Sequence, residues 1–303
     1  MRALVIGGNG FIGSSLLARL RADGVSLRVL DIGRPRTDVD WNGVEFVQGS
    51  LADGSVLPQM LAGVDVVYHL ASTTVPGTSN LDPAADVQGN LVSTLGLLQA
   101  MKAAGVRRIV YFSSGGAVYG NTGVPAVAES QPLHPVSSYG VVKAAIEHYL
   151  HMYRELGELD PVVLRPSNPY GPRQSTAGVQ GAVGTFLALA LRGEPIRIWG
   201  DGEVVRDYLY IDDLVELAAR AGLAPGTGTY NVGSGTGHSL NQLCDVVARV
   251  TGRTLDIQYL PGRPFDVKRI VLDVGAARSA YAWVPQVPLE QGIERTWLAM
   301  KHR

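Results

Sequence analysis

Tyr139 and Lys143 are the side chains in this sequence whose types and spacing most clearly suggest chemistry, because three residues separate them. On a helix this spacing places both on one face, with their Cβ atoms about 5–6 Å apart. A nearby ammonium favours the phenolate, so we expect the pKa of the tyrosine to fall from its usual value of about 10. A phenol adjusted in this way takes a proton from a substrate hydroxyl and later returns it.

A glycine-rich segment near the start of the chain indicates what accompanies that proton transfer. Residues 3–6 are apolar and predict a buried strand, and Gly7, Gly10 and Gly13 follow it before a predicted helix. Glycines at such a junction let the backbone approach a pyrophosphate at a helix N-terminus. The segment therefore predicts a dinucleotide cofactor, and with the tyrosine–lysine pair it predicts redox chemistry on a nicotinamide.

Asp31 ends the second predicted strand and indicates which nicotinamide cofactor is bound. A carboxylate at this position accepts hydrogen bonds from an adenosine ribose and repels a 2′-phosphate, which favours NAD over NADP. Arg34 and Arg36 follow closely and keep NADP open as a minority alternative.

These residues require a scaffold of parallel strands, and the pattern of the first half predicts one. Short apolar runs alternate there with amphipathic helical stretches, which is typical of a Rossmann-type, doubly wound α/β domain. The apolar runs are residues 3–6, 26–30, 44–47, 64–70, 108–112 and 161–164. They assign residues 1–166 to an NAD-binding domain.

The second half predicts a smaller C-terminal α/β cap that binds substrate, over residues 167–303 and interwoven with the first domain around residues 204–224. Its pattern loosens into loops rich in proline and glycine, at residues 166–181, 224–237 and 261–264. Between them, helices are predicted near residues 182–192, 214–221, 240–250 and 289–300.

Composition excludes several classes of function. The chain has 303 residues, 46% hydrophobic and 17% charged, with a net charge of −1, which fits a compact protein and gives no electrostatic footprint for nucleic acid or an anionic membrane. The single cysteine, Cys244, cannot form an intrachain disulfide. No secretion signal precedes the first strand, and no apolar run reaches the ~18 residues of a membrane span. We expect a cytoplasmic protein without a metal site.

In this order the motifs resemble the extended short-chain dehydrogenase/reductase superfamily and, within it, the UDP-glucose 4-epimerase-like nucleotide-sugar enzymes. The resemblance covers essentially the whole chain. It rests on Gly7, Gly10 and Gly13, Asp31, residues 69–71, Asn90, residues 113–120, Tyr139 and Lys143, and residues 164–172, 206–208, 230–233 and 263–266.

The resemblance implies a set of residues that hold NAD. Asp31 would bind the adenosine ribose, Asn90 would anchor the adjoining helix, Lys143 would bond the nicotinamide ribose, and Ser167 would lie near the carboxamide. Ser50 stands where the family often carries an aspartate, so one adenine contact is absent. The full set is Gly7, Gly10, Phe11, Ile12, Gly13, Asp31, Ser50, Leu51, Leu70, Ala71, Ser72, Asn90, Tyr139, Lys143 and Ser167.

On the substrate side, the resemblance implies that a nucleotide-diphosphate sugar is held by Asn168, Arg206 and Arg263. A planar guanidinium suits a diphosphate because it donates two parallel charge-assisted hydrogen bonds.

The catalytic hydroxyl departs from the family pattern. The position four residues before Tyr119, where these epimerases often carry serine or threonine, is Gly115. We assign the catalytic and substrate-binding hydroxyl to Ser114, with Ser113 or an ordered water as alternatives.

The composition of the same loop reduces the number of reactions that fit the chain. Family dehydratases and decarboxylases tend to carry acidic residues there, whereas residues 113–118 contain none. We therefore predict a 4-epimerase of the UDP-glucose/UDP-galactose type: Tyr139 removes the C4 hydroxyl proton, NAD accepts the hydride, and both return after the keto sugar has turned over. A net 4-ketoreductase and a noncatalytic NAD-binding regulator are the alternatives, and the net charge disfavours an RNA-binding member.

The resemblance also implies a homodimer that pairs two helices from each subunit in a four-helix bundle. The predicted helices at residues 91–104 and 139–156 carry apolar residues on more than one face. Leu95, Leu98, Ile146 and Leu150 are among them.

Overall fold

The computed structural model describes residues 1–174, 181–262 and 267–301. The chain divides into two compact units, and it passes between them five times. Unit 1 comprises residues 1–118, 135–165 and 215–230, and unit 2 comprises residues 119–134, 166–214 and 231–303.

The secondary structure alternates strands and helices along the chain. The strands are β1 (Arg2–Ile6), β2 (Ser26–Asp31), β3 (Val44–Gln48), β4 (Val66–His69), β5 (Arg108–Phe112), β6 (Asp160–Pro166), β7 (Asn168–Tyr170), β8 (Ile196–Trp199), β9 (Val205–Tyr210), β10 (Gly228–Val232), β11 (Gly237–Ser239), β12 (Ile257–Leu260) and β13 (Arg269–Ile270). The helices are α1 (Phe11–Ala22), α2 (Leu57–Leu61), α3 (Pro83–Asp86), α4 (Ser93–Ala103), α5 (Ser138–Glu155), α6 (Ala182–Arg192), α7 (Ile211–Leu223), α8 (Leu240–Thr251), α9 (Gly275–Tyr281) and α10 (Leu289–Lys301).

A seven-stranded sheet in the order β10-β6-β5-β4-β1-β2-β3 forms the centre of unit 1. The pairings from β3 across to β6 are parallel, so the carboxyl ends of these strands share one edge. The Rossmann-type α/β fold predicted from the alternating apolar runs is confirmed. The sequence analysis missed β10, which lies in residues predicted as a loop, because its strand is only half buried and begins at a glycine.

Helices cover both faces of this sheet. On one face, Leu4 and Ile6 belong to the same apolar core as residues of α2, α4 and α5. Alternate strand residues point to the other face, where Tyr68 lies against Gly222 of α7. The guanidinium of Arg108 donates hydrogen bonds to carbonyl oxygens at the end of this helix, which satisfies groups that α7 leaves unpaired.

The helix α5 carries the predicted catalytic pair, and its start is fixed locally. The hydroxyl of Ser137 accepts a hydrogen bond from the amide of Gly140, which caps the helix. Its inner face is apolar, with Val142, Ile146 and Leu150 buried in the core. Tyr139, the first residue of the motif, therefore lies in the first turn of α5, close to the sheet edge.

Before α4 the chain forms a π-helical segment, Val87–Val92, whereas the sequence predicts an α-helix only from residue 91. Such segments change the direction in which a side chain points and are frequent at functional sites. Here the segment contains Asn90.

Unit 2 contains a sheet in which β9 pairs with β11, β13 and β7, and a parallel pair formed by β8 and β12. The sequence predicted α6, α8 and α10 of this unit but neither α9 nor these strands, which are at most six residues long. The buried carboxylate of Asp207 ties the sheet to the following loops, because it accepts hydrogen bonds from the amides of Ser234, Gly235 and Leu272. Across residues 1–174, 181–262 and 267–301, no helix is long and apolar enough to cross a membrane.

Candidate active site

The loop between β1 and α1 packs so closely against its surroundings that Gly7 in the loop and Gly13 in the first turn of α1 admit only glycine. Gly7 has a φ of +86°, and a Cβ there would lie 2.8 Å from the backbone nitrogen of Ala71. A Cβ on Gly13 would lie 2.2 Å from the carbonyl oxygen of Gly7. The helix α1 begins at Phe11 without a side-chain cap, so the amides of its first turn suit an anionic ligand.

A cavity of about 360 Å³ opens beside this loop, at the carboxyl edge of the sheet in unit 1. Its size falls in the range of small-molecule sites. Nine of the residues predicted to hold the cofactor line it: Gly7, Gly10, Asp31, Ser50, Leu51, Leu70, Ala71, Ser72 and Asn90. Two further members of the predicted set, Phe11 and Ile12, begin α1, with Gly13 in the same turn.

The sequence analysis missed the other half of the lining, namely Ile6, Asn9, Leu30, Ile32, Gly49, Ala52, His69, Thr73 and Gly89. Asn9 could have been predicted to line the cavity, since it lies inside the glycine motif. Its side chain accepts from the amide of Arg36 and donates to the carbonyl of Arg34, so it holds the chain after β2 against the glycine loop.

The carboxylate of Asp31 is fixed at the end of β2. One oxygen accepts from the amide of Asn9 at 2.9 Å, and the other accepts from the amide of Gly33 at 2.9 Å. Each carboxylate oxygen accepts two hydrogen bonds, so both can still receive a ribose hydroxyl. Asp31 is thus held in place for the role that the sequence suggested.

Arg36, one of the two cations that kept NADP open, is already paired. Its guanidinium contacts both oxygens of Asp38, at 2.8 and 2.9 Å. A bidentate pair of this kind neutralises the charge that a 2′-phosphate needs. The arrangement fits NAD better than NADP.

Asn90 fastens the strand β4 and the chain that follows it to the π-helical segment. Its side-chain oxygen accepts from the amide of Thr73 at 2.8 Å, and its nitrogen donates to the carboxylate of Asp86 at 2.8 Å. The same carboxylate accepts from the hydroxyls of Thr74 and Ser138. Asp86 therefore links the cavity wall to the first residue of α5.

His69 supplies a neutral acceptor to the cavity lining. Its Nε2 contacts the hydroxyl of Thr94 at 2.8 Å, and that hydroxyl donates to the carbonyl of Asn90, so Nε2 carries the proton. Its buried Nδ1 has no hydrogen-bond partner among the described residues. Burial, reinforced by Lys143, lowers the pKa of His69 to about 3, so the ring stays neutral.

A narrow cleft next to the cavity contains Tyr139 and Lys143, and Ala71, Ser72 and Asn90 line both. The ammonium of Lys143 donates to the carbonyl of Phe112 at 2.7 Å and lies 5.5 Å from the centre of the Tyr139 ring. The structure therefore brings the tyrosine–lysine pair into a cleft that shares three wall residues with the cavity, although neither side chain lines the cavity itself.

The pKa expected for Tyr139 was wrong in direction. Burial raises the pKa of Tyr139 to about 12, and the hydrogen bond with Ser114 opposes that rise only in part. Desolvation also lowers the pKa of Lys143 to about 8, while the nearby carboxylates of Glu147 and Asp86 act to raise it. The spacing argument treated the ammonium as the dominant influence, whereas removal from water dominates for both groups.

The two adjacent serines at the end of β5 face different partners. The hydroxyl of Ser114 lies near the phenol of Tyr139 and acts to lower its pKa. The hydroxyl of Ser113 donates instead to the buried carboxylate of Glu147. Of the two alternatives, Ser114 is the one whose hydroxyl reaches the phenol.

In unit 2, Asn168 and Arg206 lie on neighbouring strands, since β7 pairs with β9 and Asn168 is opposite Tyr208. The amide of Asn168 donates to the carbonyl of Asp207, and the hydroxyl of Ser167 to its carboxylate. Arg206 donates to the carbonyl of Val205. Arg263 falls outside the described residues. Across the described part of the chain, no group of three or more His, Cys, Asp or Glu residues could hold a metal ion.

Comparison with protein families and curated proteins gives consistent relatives. A profile of the NAD dependent epimerase/dehydratase family matches residues 3–233. The chain is 40% identical to a UDP-glucose 4-epimerase of Mycolicibacterium smegmatis, over 98% of this chain and 97% of that protein. It is also 30% identical to UDP-glucuronic acid decarboxylase 1 of Xenopus tropicalis, over 97% of this chain and 71% of that protein.

Solved structures of related enzymes have a backbone fold similar to that of this chain. UDP-glucose 4-epimerase of Thermotoga maritima with UDP-glucose matches with a TM-score of 0.94 and 35% identity, covering 100% of this chain and 99% of that one. UDP-glucose 4-epimerase of Thermus thermophilus in complex with NAD matches with a TM-score of 0.92 and 36% identity, covering 99% of both chains. A UDP-N-acetylglucosamine 4-epimerase of Methanobrevibacter ruminantium has a TM-score of 0.92 and 27% identity, covering 99% of this chain and 98% of that one.

Proposed function

The chain belongs to the NAD-dependent epimerase/dehydratase family, and on that premise we propose that it is a nucleotide-sugar 4-epimerase of the UDP-glucose/UDP-galactose type. NAD is its cofactor. The relatives differ in the sugar they handle and include decarboxylases, so the choice of reaction and of substrate rests on the residues of this chain.

The observation that carries the proposal is that the hydroxyl of Ser114 acts on the phenol of Tyr139 beside a loop without carboxylates. Residues 113–118 provide hydroxyl and backbone groups only, so they offer no second acid or base for eliminating water. The carboxylate whose charge acts on Tyr139, that of Asp86, is occupied by Thr74, Asn90 and Ser138. A site with a single proton carrier suits a reaction in which the same proton leaves and returns.

In this site NAD supplies the acceptor, and later the donor, of the C4 hydrogen. Tyr139 takes the proton of the C4 hydroxyl and returns it to the keto sugar once the sugar has turned over. Ser114 donates to the C4 oxygen and orients it toward the phenol. Lys143 places a positive charge beside the phenolate while it exists, which lowers the cost of burying that charge.

We assign the diphosphate of the substrate to Asn168, Arg206 and Arg263. The guanidinium groups suit the phosphate oxygens. Binding energy from this remote part of the substrate retains the keto intermediate while the hexose rotates. With a net charge of −1, the protein attracts the dianion through these placed groups rather than through its overall field.

We further propose that the protein is a homodimer built on the helices α4 and α5. Large apolar side chains are exposed along α5 and the π-helical segment before α4, at Val92, Val141, Tyr149 and Met152. Exposed apolar groups in a row are typical of a surface that another subunit covers. Among the residues that the sequence singled out, Leu98, Ile146 and Leu150 pack in the core of their own chain instead.

The test is to incubate the purified protein, with no cofactor added, with UDP-glucose, UDP-galactose or their N-acetylamino forms, and to follow the sugars by NMR. An epimerase interconverts one C4 pair without net consumption of NAD. The variant Tyr139→Phe keeps the ring but removes the proton carrier, so its turnover is expected to fall by about 10²–10⁴.

The alternatives give different results in the same assay. A ketoreductase leaves all four sugars unchanged and consumes added NADH with a keto sugar. A noncatalytic regulator binds NAD and changes no sugar under either condition. Either result contradicts the epimerase assignment.

A further inference from the structure

A buried ion pair lies directly beneath the candidate site. The guanidinium of Arg165 on β6 contacts both carboxylate oxygens of Glu147 on α5, with Nη2 to Oε2 at 2.5 Å and Nε to each oxygen at 3.1 Å. The two side chains are only 7% and 6% exposed. Glu147 also accepts the hydrogen bond of Ser113.

Stability alone does not account for this pair. Two charges lose their hydration when they are buried, and apolar side chains of similar volume often serve a core equally well. The position of Glu147 suggests another reason for its presence. It lies four residues after Lys143 on α5, so both side chains are on the same face of that helix.

We propose that Glu147 is a positioning residue of the active site: paired with Arg165, it fixes Ser113 and presents to Lys143 the negative charge that keeps its buried ammonium protonated. The proposal rests on the proposed function only in assigning a catalytic use to that ammonium. The arrangement of the charges is independent of which sugar is turned over.

The surroundings of Lys143 explain why such a charge is needed. The ammonium is buried, with a carbonyl oxygen as its hydrogen-bond acceptor and the rings of Tyr111 and Tyr139 beside it. This environment favours the neutral amine. Of the groups that face it, His69 is neutral, and Asp86 and Glu147 are the acidic side chains that favour the ammonium.

The two carboxylates differ in how far their negative charge is neutralised by the groups that bind them. Asp86 is held by the uncharged donors of Thr74, Asn90 and Ser138, whereas Glu147 is balanced by the full charge of Arg165. The field at Lys143 therefore depends on both members of the ion pair, with opposite signs. Removing Glu147 leaves two buried cations close together, whereas removing Arg165 leaves the carboxylate to the lysine.

The experiment is a direct titration of Lys143 in the NAD-bound protein by ¹³C NMR of ε-labelled lysine. The chain has only four lysines, at positions 102, 143, 268 and 301, and Lys143→Arg identifies the signal. In Glu147→Gln we expect the midpoint of Lys143 to fall by at least about one pH unit. In Arg165→Gln we expect it to rise. A matched control on the same helix, Glu155→Gln, removes an exposed carboxylate and is expected to leave the midpoint unchanged.

A purely structural role would not give shifts of opposite sign. An unchanged midpoint in folded Glu147→Gln, or a fall in Arg165→Gln, overturns the proposal. If Glu147→Gln does not fold, the double variant Glu147→Gln/Arg165→Met removes both charges together, and Lys143 should still titrate below its native midpoint. An unchanged midpoint in the double variant also overturns the proposal.

Activity provides the second measurement. The alkaline limb of the kcat profile is expected to move to lower pH in Glu147→Gln, by the same amount as the NMR midpoint. A shifted NMR midpoint with an unmoved limb contradicts the catalytic use of the charge. If the NMR midpoint shifts as expected in the variants but the native protein epimerises none of the sugars, the charge arrangement stands and only the proposed function is contradicted.

Discussion

At the scale of single residues, burial determines how Tyr139 and Lys143 behave. Burial raises the pKa of the phenol to about 12 and lowers the pKa of the lysine to about 8. The raised pKa makes the phenol a weak acid, so the phenolate that would accept the substrate's proton is scarce until something stabilises it. The hydroxyl of Ser114 and the ammonium of Lys143 are placed to do so, which makes the reaction sensitive to both groups.

The adjacent serines provide a prediction with an internal control. Ser114→Ala removes the hydroxyl that is placed to stabilise the phenolate of Tyr139. Loss of a hydrogen bond to a charged group costs about 1.5–3 kcal/mol, so kcat is expected to fall by about 10–100-fold. Ser113→Ala leaves the hydroxyl of Ser114 in place and should change kcat much less. Steady-state kinetics on the UDP-sugar that the native protein turns over measures both. If Ser114→Ala retains native turnover while Tyr139→Phe has none, the hydroxyl comes from elsewhere.

The lowered pKa of Lys143 predicts how stability depends on pH. Its pKa falls from the model-compound value of 10.5 to about 8 in the folded protein. Between these values the unfolded chain binds more protons than the folded one, so this residue makes the free energy of unfolding rise with pH. The neutral variant Lys143→Met should lack that rise.

Urea denaturation at about pH 8 and about pH 9.5, compared between the native protein and Lys143→Met, isolates this contribution. Buried tyrosines act in the opposite direction at higher pH, but they are common to both proteins and cancel in the difference. A difference between the two proteins that stays constant over this range contradicts the lowered pKa.

At the scale of elements, α5 organises the site. It carries Tyr139, Lys143 and Glu147 at intervals of four residues on one face, and its first residue, Ser138, is tied to Asp86 of α3. The distance between the catalytic groups and the cavity wall is therefore set by one rigid helix and one buried carboxylate.

Among the contacts between elements, those of Asp86 should contribute most to the free energy of unfolding. Asp86→Ala leaves donors of Thr74, Asn90 and Ser138 without their buried acceptor, so the free energy of unfolding should fall by about 2–4 kcal/mol. Retention of NAD should weaken as well, because the loop after β4 loses its anchor. Denaturation and the absorbance of bound cofactor measure these effects.

A neighbouring aspartate provides the comparison for this variant. Asp82 caps α3 at the surface, where its carboxylate accepts the amide of Ala85, and Asp82→Ala should cost about 1 kcal/mol with NAD retained. Equal losses in the two variants would mean that Asp86 is only another cap.

The elements that could be predicted from the sequence have a continuous pattern of apolar residues, and the elements that could not be predicted lack one. The strand β1 and the helix α5 are specified by continuous patterns, and both begin within one residue of their predicted positions. The π-helical segment and β8 carry no comparable pattern, since β8 has only four residues, too few to establish a period of two.

The candidate site shows the same division. The glycine loop and the tyrosine–lysine pair are contiguous motifs and were found from spacing alone. Glu147 and Arg165 are 18 residues apart on different elements, and only the fold brings them together. The difference between Ser113 and Ser114 depends on which way each side chain leaves the end of β5, which no spacing records.

At the scale of the whole molecule, the exposed apolar side chains of unit 1 bear on whether the chain assembles with a second copy. Most large apolar side chains of unit 1 are buried against its sheet. The exceptions along α5 lie on one side of its buried face, at Val141, Tyr149 and Met152. A second copy of this chain would cover that side.

The dimer proposal predicts a change in assembly without a change in fold. Val141→Glu combined with Met152→Glu places two like charges on the exposed face of α5, where a paired helix of another subunit would bury them without partners. Neither side chain is in the core, so each subunit should keep its fold and its bound NAD. Leu298→Glu is the matched control, since Leu298 is similarly exposed on α10 in unit 2. Light scattering should give twice the chain mass of 32.2 kDa for the native protein and the control, and the single-chain mass for the double variant. A native protein that already scatters as a single chain contradicts the proposal, as does a double variant that remains dimeric.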